Sequence, residues 1–110
     1  MSLSFDERRE SRRVPFRFQV REPTLGGPFE EHDGNIALGG VYFSGLHPPA
    51  GAVVEVRFTL PEHDGAIEAR GEVLRVSRDG EKYGAHIRFT EISLDSELAL
   101  ARFLQDDDAT

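Results

Sequence analysis

Between Val14 and Arg21 the apolar residues Val14, Phe16, Phe18 and Val20 alternate with Pro15, Arg17, Gln19 and Arg21. A period of two gives an extended segment one apolar face, whereas a helix would scatter the same side chains around its circumference. The pattern returns at Val41 and Phe43, at Val54, Val56, Phe58 and Leu60, and at Ala85, Ile87 and Phe89 within Tyr83 to Phe89. Ile67 to Val76 reads as a further strand whose phase slips near Val73 and Leu74, where a bulge or bend is expected. A second strand is expected around Phe29 to Leu38. Glycine and proline punctuate these runs at Pro23 to Pro28, Ser44 to Gly51 and Pro61 to Gly65, and Arg78, Asp79 and Gly80 read as a hairpin turn. Leu94, Leu98, Ala101 and Leu104, with Phe103 beside them, then follow helical spacing, and Ser93 or Asp95 can cap the start. The order implies an all-β fold with one C-terminal helix: a small antiparallel barrel or sandwich whose helix covers one end.

At 110 residues the chain suits one domain, and eight phenylalanines supply the apolar surface for its core. The absence of cysteine excludes disulfides, thiol nucleophiles and thiolate metal sites. No apolar run reaches the length of a membrane span, and the first residues lack the apolar core of a signal peptide, so a cytoplasmic chain without membrane insertion is expected. A formal charge of −7 argues against DNA or RNA as a partner, because that binding needs a broad positive surface. His32, His47, His63 and His86 stand far apart without metal-ligand spacing, and no nucleophile and base, nor a pair of carboxylates, frames a recognisable catalytic site. Neither a catalytic residue nor a metal ligand is assigned, and no cofactor is expected.

Against this acidity, Arg8, Arg9, Arg12 and Arg13 fall within six residues, and only Lys82 among the thirteen basic residues is not an arginine. Guanidinium forks onto phosphates and the guanine edge and stacks on flat rings. A terminal charge run taken alone is usually a solvated arm. Gly39 and Gly40 interrupt a strand pattern, which marks a bend, a barrel corner or a close backbone approach. Asn35, just before them, carries an amide that can donate to and accept from a base edge. In an antiparallel fold the start of the first strand and the turn after the second can meet at one end.

Arg9 and Arg13 in ERRESRRVPFR make an RxxxR motif directly before a strand, and Asn35, Ala37 and Gly40 in NIALGGVYF occupy the fixed positions of a (D/N)xSxxG motif. With RGEVLRV and YGAHIRF further on, the chain from Asp6 to Leu104 resembles a PilZ domain. The resemblance implies a six-stranded antiparallel β-barrel over 14–104 with its helix, a flexible arm over 1–13, an acidic tail over 105–110, and no enzymatic activity. It also implies cyclic di-GMP as ligand. Arg9 and Arg13 would hold guanine or phosphate, Asn35 a guanine edge, and Gly40 a close backbone turn. Arg8 is an added phosphate candidate, Arg12 is expected to face solvent, and Arg75 sits where some relatives carry an aromatic residue near the ligand. Ala37 departs from the motif serine. One lost polar contact is worth about 0.5 to 1.5 kcal/mol, roughly a threefold to tenfold weakening. Two functions follow: a cyclic di-GMP receptor acting on an unidentified effector protein, or a degenerate domain that has lost the nucleotide and serves as an interaction adapter in bacterial motility or surface behaviour.

Overall fold

The computed structural model describes residues 14–23, 27–45, 49 and 51–109. Six strands run in chain order, β1 (Val14–Arg21), β2 (Glu30–Ala37), β3 (Gly40–Gly45), β4 (Val53–Phe58), β5 (Ile67–Asp79) and β6 (Lys82–Glu91), followed by helix α1 (Leu94–Ala109). They close into an antiparallel barrel in the order β1-β2-β3-β6-β5-β4, so the barrel expectation holds and the sandwich does not. Closure removes the exposed sheet edges that an open sheet of this size would present for aggregation.

The alternation read from sequence becomes the inside of the barrel. Val14, Phe18 and Val20 from β1, Ile36 from β2, Val41 and Phe43 from β3, Val54, Val56 and Phe58 from β4, Ile67 from β5, and Ala85 and Ile87 from β6 are buried together. Strand β2, mostly polar, is held extended by pairing on both sides, with Phe16 opposite Gly34 on β1 and Tyr42 opposite Asn35 on β3. The phase slip in β5 is a bulge: Val73 faces Ile87 while Arg75 faces His86, leaving Leu74 as the extra residue. It is 59% exposed. The hairpin turn lies one residue later than the sequence suggests, since Asp79 still pairs with Lys82 and leaves Gly80 and Glu81 as the turn.

Because the strands are antiparallel, Val14, Ala37, Gly40, Phe58, Ile67 and Glu91 gather at one end of the barrel, and α1 begins three residues after Glu91. Ser93 caps the helix, its Oγ accepting the Ser96 amide at 3.1 Å. The apolar stripe differs from the sequence reading. Leu94 and Leu98 point outward at 70% and 57% exposure, while Leu100 and Leu104 are buried with Ala99 and Phe103 packed beside them. The docking element is the middle of the helix, where the Phe103 ring meets Phe16 edge-on at 5.4 Å and Phe16 in turn meets Phe58 at 6.0 Å. The helix also continues beyond Leu104 to Ala109.

Candidate functional site

Cross-strand register sets the outer wall of the barrel. Pro15 lies opposite Asn35, Asn35 opposite Tyr42, Tyr42 opposite His86, and His86 opposite Arg75, one continuous row across five strands. The next row toward the helix end runs Ala37, Gly40, Arg88 and Glu72. Between these rows lies an open depression of about 210 Å³ lined by Asn35, Ala37, Gly40, Tyr42, His86 and Arg88, among others. Asn35 and Ala37 are half-buried in it, and the exposed Leu74 also lines it.

The structure therefore brings three of the expected site residues, Asn35, Ala37 and Gly40, to a single depression. Arg8, Arg9 and Arg13, with Arg12, lie outside the described residues, as does the whole arm over 1–13. Their attachment point is described: Val14 pairs with Ile36, the residue between Asn35 and Ala37. Ala37 presents a methyl group where a hydroxyl is expected. Gly40 has a reason within the barrel itself, since a β-carbon there would collide with the Ile87 carbonyl oxygen of β6. The close approach is thus between strands β3 and β6, one of the reasons expected for a glycine inside a strand.

Most strand arginines are matched to carboxylates. Arg17 donates to Asp33 at 2.9 Å, Arg21 and Arg70 both reach Glu55, Arg57 lies 4.0 Å from Glu68, and Arg88 pairs with Glu72. Hydrogen bonds from Arg21 and Arg70 hold the Glu55 carboxyl below its ordinary range, and the hydrogen bond from Arg17 does the same for Asp33. A larger depression of about 520 Å³ opens on the β4–β5 flank beside Phe29, Glu55, Glu68 and Arg70. There Arg70 pairs with Glu55 and Glu68 lies 4.0 Å from Arg57, while Arg57 and Arg21 stack on the Phe29 ring at 4.1 and 4.7 Å. Arg75 is different: its guanidinium lies 3.4 Å from His86 Nε2, and among the described residues no carboxylate pairs with it.

Tyr42 and His86 did not stand out in the sequence. Their rings lie 4.6 Å apart on the wall of the depression. The available signal was the alternation itself, because Tyr42 sits between inward-facing Val41 and Phe43 and must point outward. Among the described residues no cluster of His, Asp or Glu could hold a metal ion, and no helix is long and apolar enough to cross a membrane.

The PilZ domain model matches residues 7–106. The chain belongs to the PilZ family. PilZ domains are signalling and adapter domains related to cyclic di-GMP, and this one shares its fold with two solved structures. The Bacillus subtilis inhibitor of motility, MotI/DgrA, superposes with a TM-score of 0.70 at 21% identity, over 87% of this chain and 48% of that protein. A tetrameric PilZ domain of Xanthomonas campestris, self-assembled via a helical bundle, superposes with a TM-score of 0.57 at 17% identity, over 78% and 49% respectively. This PilZ chain spans about half the length of each. No curated protein sequence matches it.

Proposed function

We propose that this PilZ domain is a non-enzymatic cyclic di-GMP receptor of the cytoplasm that changes the surface it presents to an effector protein when the nucleotide binds. The observation that carries the reading is the pairing of Val14 with Ile36. Because the last member of the arginine motif directly precedes Val14, chain continuity leaves that motif within reach of Asn35, Ala37 and Gly40. A fully extended chain spans at most about 3.6 Å per residue, so Arg9, five residues from Val14, stays within roughly 18 Å of that point. Both motif arginines can thus reach a ligand seated in the depression. Arg9 and Arg13 would take phosphate or guanine from the open side, Asn35 a guanine edge from the wall, and Arg8 a further phosphate oxygen. Ligand binding would hold the arginine segment against the barrel, a change of surface that a partner can read. The likeness to a motility inhibitor makes motility or a related surface behaviour the process to examine first.

Labelled cyclic di-GMP tests the reading directly. Binding competed by unlabelled cyclic di-GMP but not by GTP is the expected result, and no binding to a folded sample overturns it. The methyl group of Ala37 favours a second reading, an adapter that no longer holds the nucleotide. In that case Arg9→Ala plus Arg13→Ala leaves cellular function intact; under the receptor reading the same pair abolishes the response.

A further inference from the structure

Resting on the receptor reading, we infer that Tyr42 and His86 form a stacking platform for a guanine base of cyclic di-GMP, with Asn35 and Arg75 flanking it to read the base edge. All four residues occupy one row on consecutive strands β2, β3, β6 and β5. Neighbouring strands are about 4.8 Å apart, so the row sets a polar group at each side of two adjacent rings.

The platform is built into the barrel. Gly84, one step along β6 from His86 on the same face, has no side chain, and a β-carbon there would overlap the Tyr42 phenol, whose Cε1 and Cζ would lie only 2.8 Å away. The bare backbone of Gly84 lets the Tyr42 ring lie down along the wall rather than stand into solvent. His86 lies against it, the ring centroids 4.6 Å apart and the planes inclined by 50°. Both rings line the depression that holds Asn35, Ala37 and Gly40.

The chemistry fits a purine and, among purines, guanine. Stacking on aromatic faces is indifferent to base identity, so recognition must come from the edges. Asn35 offers an amide on one flank. Arg75 offers a guanidinium on the other, the group that forks onto guanine O6 and N7, and its Nη2 is positioned 3.4 Å from His86 Nε2 rather than by a carboxylate. The arrangement also offsets part of what Ala37 lacks, because a stacked base does not depend on that hydroxyl.

Composition supplies the assay. The chain has no tryptophan and two tyrosines, so Tyr83→Phe leaves Tyr42 as the single tyrosine fluorophore. In that background, cyclic di-GMP should quench tyrosine emission with the same midpoint as calorimetric binding. Tyr42→Leu, which keeps bulk over Gly84, should weaken binding about fivefold to a hundredfold at unchanged melting temperature, whereas Tyr42→Phe should bind as wild type. Wild-type binding with unquenched Tyr42, or full affinity in folded Tyr42→Leu, overturns the platform and leaves the receptor reading standing. Absence of any binding to the wild type overturns the receptor reading, and the platform with it.

Discussion

Gly39 and Gly40 are neighbours in sequence, yet the barrel treats them oppositely. A β-carbon on Gly40 would overlap the Ile87 carbonyl oxygen and lie 3.0 Å from the Ile87 carbonyl carbon and 3.1 Å from Arg88 Cα. All three are backbone atoms, so no rotamer change relieves the contact, and β3 must move away from β6 where Gly40 pairs with Arg88. Overpacking of this kind costs about 1–3 kcal/mol, and a disturbed ladder hydrogen bond adds about 0.5–1.5 kcal/mol. Gly40→Ala should therefore lose about 2–4 kcal/mol, which for a domain of this size lowers the melting temperature by roughly 10–20 °C. Nothing lies within 4 Å of a β-carbon on Gly39, its φ is not in the left-handed region, and its carbonyl still accepts the Phe89 amide at 2.8 Å. Gly39→Ala should be neutral or stabilising by about 0.4–1 kcal/mol, through the smaller entropy of the unfolded chain. Thermal and urea melts followed by circular dichroism compare the two. Equal midpoints for both variants, or greater damage from Gly39→Ala, would refute the close approach of β3 to β6.

Leu100→Ala, at a fully buried helix position, should cost about 2–5 kcal/mol in urea denaturation, while Leu98→Ala on the exposed face should change stability by less than about 0.5 kcal/mol. Ala37→Ser should tighten cyclic di-GMP binding roughly threefold to tenfold by calorimetry, by restoring one hydrogen-bonding group to the depression. Glu55 ties β4 to β1 and β5 through Arg21 and Arg70, and its folded-state carboxyl is held below its ordinary 4.5. A lowered carboxyl titration means that this contribution is complete above that range and is lost as pH falls through the folded-state value. The stability difference between wild type and Glu55→Gln should therefore be largest near neutrality and shrink with acidification below pH 4.5, and a difference that grows instead would contradict the pairing.

Much of the barrel was legible because its inward residues obey a period of two that no other element imitates: Val14 to Val20 and Val54 to Phe58 needed no tertiary information. The bulge at Leu74 was visible for the same reason, as a break in that period. The helix misled. Leu94 and Leu98 have the right spacing for a buried stripe, but burial depends on where α1 meets the barrel, and it docks through Phe103, Leu100 and Leu104. Within the site, Asn35, Ala37 and Gly40 could be found because they stand at fixed positions in one short segment. Tyr42, His86 and Arg75 are distant in sequence and become neighbours only through the register of β3, β6 and β5. The sequence also offered no means of separating a glycine required by a ligand from one required by an adjacent strand. At Gly40 the nearby Ile87 carbonyl supplies that distinction.

The most direct test is an isothermal titration of cyclic di-GMP into the wild-type chain and into variants whose melting temperatures are unchanged. Saturable heat with wild type, lost in Arg9→Ala plus Arg13→Ala and strongly reduced in Asn35→Ala, is the expected result. No heat with the folded wild type, or undiminished heat in the double arginine variant, would contradict it.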